Sequence, residues 1–251
     1  MNMKEKPLGR KNYGSIPHLP NSRMGPGDHK CHDGQERIAT VKARDKHDEI
    51  IVQEKLDGSN VGVARIGETI YPLGRAGYLA ASSPYLQHRY FSNWAYANTE
   101  RFMSALNDGE RLVGEWLAQA HGTIYDLSHE PFVAFDLMIG TDRITYDDFF
   151  SRIGKDFIVP YLIHRGDPLS VKSAMELLGE HGRHGAVDLV EGIVYRVECN
   201  KLIDRHSGKR KRIVDFLVKW VRPDKQDGKY LESVSGGDPV WNCKNNYDET
   251  N

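Results

Sequence analysis

Cysteine is scarce in this chain: Cys31, Cys199 and Cys243 are widely separated and odd in number. That spacing offers no disulfide framework and points to a reducing compartment. Long apolar runs are missing too, so no stretch is suited to spanning a bilayer. The N-terminus, Met-Asn-Met-Lys-Glu-Lys, has basic residues but no apolar run after them, unlike a signal peptide. The expectation is a soluble, cytoplasmic protein with no membrane partner. Neither sign of charge is in excess: 34 Lys and Arg face 35 Asp and Glu, a formal net charge of −1. Bulk attraction to a polyanion is thereby excluded, and contact with nucleic acid has to come from local basic patches. A structural zinc is not expected either. His29, Cys31 and His32 are spaced too tightly for a tetrahedral site and have no fourth ligand nearby. His181 and His184 flank glycines in a polar loop and read as solvated.

What is present suits a folded core. Of 251 residues, 39% are hydrophobic and 27% charged, which fits one large domain with small appendages. Residues 1–35 are rich in Gly, Pro, Asn and His and read as an N-terminal arm, extended around Pro17 and Pro20. His18 and Arg23 lie in it and read as parts of an ordered arm rather than as substrate contacts. Residues 36–222 carry the periodic segments of a single domain. From Pro223 to residue 251 the chain is polar, with Gly236-Gly237 and Asn245-Asn246, and reads as a loosely held tail.

The domain is organised around Glu54-Lys55-Leu56-Asp57-Gly58-Ser59-Asn60. An apolar strand-like run, residues 49–52, precedes it, and an alternating run to Ile66 follows, so Asp57-Gly58 reads as a hairpin turn with Lys55 at a strand end. A lysine there is a candidate nucleophile only if its pKa is lowered. At about 10.4, roughly one lysine in two thousand is neutral at pH 7. Nearby cations or desolvation must bring that pKa down.

Other strand-like runs carry single charged groups. Residues 69–74 end at Arg75, which glycines at 74 and 77 flank. Residues 111–118 hold Glu115 inside an apolar run, where a carboxylate is costly unless partnered. Residues 131–138 contain Phe135 and Asp136. In residues 191–196, strand alternation puts Glu191, Ile193 and Tyr195 on one face and Val194 and Arg196 on the other. Residues 213–222 hold Lys219. A further strand is expected over 156–163. Helices are expected over 84–106, whose aromatics read as packing against a sheet, from Thr145, and from Asp167 to Leu178. Residues 201–212, with Lys201, Arg205, His206, Lys209, Arg210, Lys211 and Arg212, form the most basic window. It is either a solvated face or a track for a nucleic-acid backbone.

The K-x-D-G-x-N form of residues 55–60 resembles the nucleotidyl-lysine motif of covalent nucleotidyltransferases, which comprise RNA ligases, DNA ligases and mRNA capping enzymes. Asn60 is similar to the RNA-ligase branch; the other two usually carry arginine there. Arg75, the Gly114-Glu115 pair, Phe135-Asp136, Glu191-Gly192-Ile193-Val194-Tyr195-Arg196 and Lys219 follow in the family's order, over residues 50–222. The resemblance implies an α+β fold of antiparallel sheets flanked by helices, with a nucleotide groove between the sheets. It implies that Lys55 takes AMP from ATP, that Glu54, Asp57, Asn60, Arg75, Glu115, Phe135 and Arg196 bind the nucleotide, and that Lys219 touches the α-phosphate. Glu115 would meet the ribose, Phe135 would stack on the purine, and Glu191 and Asp136 would serve Mg²⁺ or Mn²⁺. The implied activity is ATP-dependent ligation of RNA bearing 5′-phosphate and 3′-hydroxyl ends. Two alternatives stay open: a DNA ligase or other nucleotidyltransferase, and a nucleotide- or RNA-binding module without turnover.

Two departures accompany the resemblance. Many relatives have two lysines two residues apart in the last motif, whereas Leu217 and Val221 occupy both candidate second positions here. Either Arg222 substitutes or a phosphate contact is missing. Residues 223–251 are also too few for the OB-fold that DNA ligases and capping enzymes append. The chemistry closes on the residues alone. Lys219 and Arg75 would lower the Lys55 pKa, Glu191 and Asp136 would hold a hard cation with substrate phosphates, and such a set suits phosphoryl-type transfer.

Overall fold

A computed structural model describes residues 6–202 and 208–243. Arg205 and His206 of the basic window, and Asn245-Asn246, lie outside the described residues. After a helix α1 (Asp33–Thr40), the chain forms β1 (Glu49–Lys55), β2 (Ser59–Ile66) and β3 (Thr69–Gly74). Two helices, α2 (Leu86–Ala97) and α3 (Thr99–Ala105), lead into β4 (Glu110–Trp116) and β5 (Phe132–Ile139). Then come β6 (Asp142–Arg143), α4 (Tyr146–Ile153), β7 (Leu162–Gly166), α5 (Val171–Leu178), β8 (Gly192–Leu202), β9 (Arg210–Val221) and a short α6 (Glu232–Ser235). The strands make two antiparallel sheets, a four-stranded one in the order β7-β1-β8-β9 and a five-stranded one in the order β3-β2-β4-β5-β6. The expected α+β class of antiparallel sheets flanked by helices is what the chain adopts.

Each sheet has its own apolar core. Phe91, Trp94 and Phe102 of α2 and α3 pack against Trp116 and Phe132 of the five-stranded sheet, with ring centroids 5.3–6.2 Å apart. Burying one such ring contributes roughly 1.5–3 kcal/mol, so packing accounts for these aromatics. The helices start where capping chemistry allows. Thr145 and Ser170 accept from the backbone N–H groups of Asp148 and Ser173, and Asp147 and Asp148 sit in the first turn of α4. Ile50, Val52, Ile193, Tyr195, Val197 and Val218 form the second core under the four-stranded sheet.

Four expectations are corrected. β1 and β2 do not form a hairpin: they belong to different sheets, and residues 56–58 cross between them. Gly58 is needed at the crossing because a Cβ there would collide with the Trp116 carbonyl. The strand expected over 156–163 begins at Leu162; Ile158 before it bridges to Val133 of the five-stranded sheet instead. His184 is buried rather than solvated; it accepts from the Tyr161 N–H at 3.2 Å and meets His129 at 2.9 Å. His181 does lie exposed, as expected.

The fourth correction is at the C-terminal tail; the N-terminal arm is ordered. The arm lies along the edge of β9: Leu19 N–H donates to the Lys219 carbonyl at 2.8 Å, and Lys219 N–H to the Pro17 carbonyl at 2.9 Å. His18 and Leu19 are buried there, and a strand edge is covered, while Tyr13 is buried against Val113 and Met138 of the five-stranded sheet. Residues 223–243 are held as well. Asn242 bonds the carbonyls of Leu117 and Ala118, and Trp241 packs on Tyr90 at 5.2 Å. No helix among the described residues is long and apolar enough to cross a membrane.

Candidate active site

The two sheets enclose a cavity of about 440 Å³. Lys55, at the end of β1, faces it with Gln53, two residues earlier on the same face. Its ammonium donates to Glu191 Oε2 and, at 3.3 Å, to the Leu56 carbonyl. Burial alone would pull the Lys55 pKa down, but Glu191, Glu115 and Asp57 more than reverse this and hold it above the ordinary lysine range. The expectation that cations dominate around Lys55 is therefore corrected: in the resting arrangement carboxylates do. Lys219 does converge on the site, and its own pKa is lowered by burial and by the charge of Lys55. Its ammonium lies 3.7 Å from Asp28 of the arm, which also receives His18 at 3.1 Å.

Asp57 and Glu115 flank the crossing. Asp57 Oδ2 accepts from Gly122 N–H at 2.7 Å, and Glu115 Oε1 accepts from Gly58 N–H at 3.0 Å. Burial pushes the Glu115 carboxyl up to about 7. Asn60 lies directly across from Glu115 in the β2–β4 ladder and also lines the cavity. Asn60 Oδ1 and Gln53 Nε2 are buried and bond to none of the described residues, leaving polar atoms for a ligand. Glu54 lines the cavity too, but its carboxylate accepts from the Arg183 backbone N–H at 3.0 Å and burial pushes it up to about 7.

A register shift brings Phe135 and Asp136 to the same cavity. Val113 pairs with Asp136 and Gly114 with Ala134, so Phe135 is the extra residue of a bulge. Without it, neighbours on a strand would face opposite ways. Phe135 meets Tyr13 edge-on at 5.3 Å. Asp136 is fully buried; it accepts from Tyr13 Oη at 2.6 Å, from Arg143 Nε at 2.9 Å and from Arg196 Nη2. Both its oxygens thus have protein partners. Arg75 follows β3, is exposed at the rim and donates to Ser15 Oγ at 3.0 Å.

β8 and β9 supply the remaining wall. Val194 and Arg196 face the cavity across from Lys219 and Leu217, while Ile193 and Tyr195 enter the core. Glu191 precedes the strand, which begins at Gly192, and so joins the cavity rather than the face of Ile193 and Tyr195. A Cβ at Gly192 would collide with the Trp220 carbonyl. All of Lys55, Lys219, Glu191, Glu54, Asp57, Asn60, Arg75, Glu115, Phe135, Arg196 and Asp136 line the one cavity.

Some of its residues carried no motif in the sequence. Tyr13 reaches in from the arm, and Ser59, His88 and His121 make a hydrogen-bonded group on one wall, with Ser59 Oγ 3.2 and 3.4 Å from the two imidazoles. Arg222, a candidate second cation, turns away to the Val190 carbonyl at 2.6 Å and to Asp224. The basic window lies at the far tip of β8–β9, with Arg212 and Arg210 roughly 23 and 30 Å along the strand from Lys219 at about 3.3 Å per residue. Arg212 there is paired with Glu49 and Glu198.

For a divalent cation the fit is of one kind only. No group of three or more His, Cys, Asp or Glu suited to a metal exists among the described residues. Glu191 is the carboxylate that holds an ammonium inside the cavity. It fits a Mg²⁺-like ion that takes one or two carboxylates and completes its shell with phosphates and water.

The cavity thus sets a lysine amine between carboxylates, beside a second ammonium and an aromatic wall. A family model described as RNA ligase matches residues 48–221. The chain belongs to the RNA ligase family. Among solved structures it is similar to a Naegleria gruberi RNA ligase with PPi, at 17% identity and a TM-score of 0.54, covering 93% of this chain and 60% of that one. A variant of the same ligase with ATP and Mn is 16% identical with a TM-score of 0.47, over 70% of this chain and 50% of that one. An archaeal ATP-dependent RNA ligase is 18% identical with a TM-score of 0.44, over 70% and 43%. The chain thus spans 50–60% of the length of the two Naegleria chains. No curated protein sequence matches it.

Proposed function

We propose that this chain is an ATP-dependent RNA ligase in which Lys55 is the covalent carrier of AMP. Family membership and the similarity to a ligase with PPi support this reading. The single observation that carries it is the position of the Lys55 ammonium: it faces a cavity shared with Lys219, Glu115, Glu191, Arg75 and Phe135.

In the first step the Lys55 ammonium gives up one proton to solvent and the resulting amine attacks the α-phosphorus of ATP, losing a second proton as the bond forms. A nitrogen–phosphorus bond forms, the bond from the α-phosphorus to the bridging oxygen breaks, and pyrophosphate leaves with its electron pair. Lys219 and Arg75 place positive charge where the transferred group becomes more anionic. Phe135 offers a face for the purine, and Glu115, Asn60 and Gln53 offer polar atoms to ribose and base. Arg196 and Asp136 fix the floor beneath Phe135. A Mg²⁺ or Mn²⁺ ion held by Glu191 and the phosphates would supply charge that offsets the carboxylate and the leaving group. AMP then passes to an RNA 5′-phosphate, and a 3′-hydroxyl displaces it to join the strands.

Incubation with α-labelled ATP and Mg²⁺ tests the first step. The wild type should take up label and Lys55→Ala should not. An unlabelled wild type, or equal label on both, would refute the reading. Binding of ATP without pyrophosphate release would favour a binding module, and sealing of all-DNA nicks at the RNA rate would favour a broader ligase. The three free cysteines support a reducing, cytoplasmic setting.

A further inference from the structure

Strand β9 brings a single lysine to the cavity, because Leu217 lies at the other inward position. Three carboxylates, Asp57, Glu115 and Glu191, act on Lys55. The balancing charge comes from outside the strand. Lys225 has a side chain only 2% exposed, and its ammonium contacts Asp57 Oδ2 and lies 3.5 Å from Glu191 Oε1. Glu191 Oε2 holds Lys55, so this one carboxylate stands between two ammonium groups.

The backbone is built to deliver that side chain. Arg222 N–H donates to the Glu191 carbonyl at 3.0 Å, Lys225 N–H to the Arg222 carbonyl at 3.2 Å, and Tyr230 N–H to the His121 carbonyl at 2.7 Å. At Gly122 a Cβ would collide with the Gln226 carbonyl and sit 3.0 Å from both Lys225 Cε and Asp57 Oδ2, so glycine lets residues 225–226 pack closely against this segment. Lys225 falls beyond the residues, 48–221, that the family model matches.

We propose that Lys225 is a positioning residue of the adenylylation step, holding Glu191 and Asp57 in place from behind the cavity wall. The proposal rests on the ligase reading above. When Lys55 leaves Glu191 to reach the α-phosphorus, Glu191 loses one ammonium partner. Lys225 keeps the other and prevents the carboxylate from following Lys55 or repelling Asp57. Lys225 does not line the cavity; it stands behind Asp57 and Glu191, which do.

The test is single-turnover label transfer from α-labelled ATP in wild type, Lys225→Met and Lys225→Arg, each at a temperature where melting shows it folded. Lys225→Met should lower the rate at saturating ATP by about tenfold or more and change the ATP concentration for half-maximal rate by less than about threefold. Lys225→Arg, which retains the charge, should stay within about threefold of wild type. A folded Lys225→Met with the wild-type rate, or a loss confined to ATP affinity, overturns the proposal while leaving the ligase reading intact. If Lys225→Met does not fold, Lys225→Arg decides: a folded but inactive arginine variant overturns it, since charge would then not be what the position supplies. A wild type that takes up no label overturns the ligase reading and this proposal together.

Discussion

Glu115 Oε1 accepts the Gly58 N–H at 3.0 Å, and this bond ties the five-stranded sheet to the segment that follows Lys55. The same carboxyl is half-buried at the cavity wall, and loss of solvent pushes it up to about 7 from 4.5. Between those two values the folded chain keeps a proton that the unfolded chain has lost, so stability falls as pH rises through that window. Glu115→Gln keeps an acceptor and removes the charge. It should raise stability at pH 8 by about 1–3 kcal/mol, with no gain near pH 4.5, while slowing adenylylation by about tenfold or more. Denaturant titrations at the two pH values check this, and a variant less stable than wild type at pH 8 would contradict it.

Two histidines, buried His184 and half-buried His88, act in the opposite sense. Burial lowers His88 and His184 from 6.5 to about 4, with the neighbouring imidazoles of His121 and His129 adding to it. The unfolded chain then takes up protons that the folded one refuses, so their contribution is present above about pH 6.5 and lost as pH falls towards 4. Each accounts for up to about 3 kcal/mol over that range. In His184→Asn the slope of stability against pH between 6.5 and 4 should be shallower than in wild type. An unchanged slope would show that His184 does not titrate this way.

Asp136 holds Tyr13, Arg143 and Arg196 from a fully buried position. Asp136→Asn leaves two guanidinium groups short of a counter-charge and should cost about 3–5 kcal/mol of stability. Because both oxygens already have protein partners, the Mg²⁺ concentration for half-maximal adenylylation should not change in that variant. A large shift in that midpoint, without loss of stability, would return Asp136 to the metal.

Lys219 is the ammonium whose pKa falls through burial and through Lys55. Lys219→Ala removes the cation nearest the transferred phosphate in the proposed step and should slow label transfer by about 10²–10³-fold. Lys219→Arg should recover part of the rate. Wild-type transfer by the alanine variant would remove Lys219 from the mechanism.

Much of this site could be read from residue order because each charged group interrupts an apolar run, and a strand fixes where its side chains point. Strand alternation alone does not account for the site where a strand is not regular. Phe135 and Asp136 share the cavity through a bulge, and Glu191 does so because β8 starts one residue after it. Lys225 was not legible for a different reason. It lies in a polar, aperiodic stretch, and only the long-range contacts of residues 222–230 with Glu191 and His121 place it under Asp57. The hairpin expected at Asp57-Gly58 illustrates the same limit: residues 56–58 form no turn, and β2 pairs with β3 and β4 of the other sheet instead.

The most direct measurement is tandem mass spectrometry of peptides from protein incubated with ATP and Mg²⁺. One adenylyl group should be found, on Nζ of Lys55, and it should be released by acid as expected of a phosphoramidate. An adenylyl group on Lys219, Lys225 or another side chain, or none on any peptide, would contradict the account.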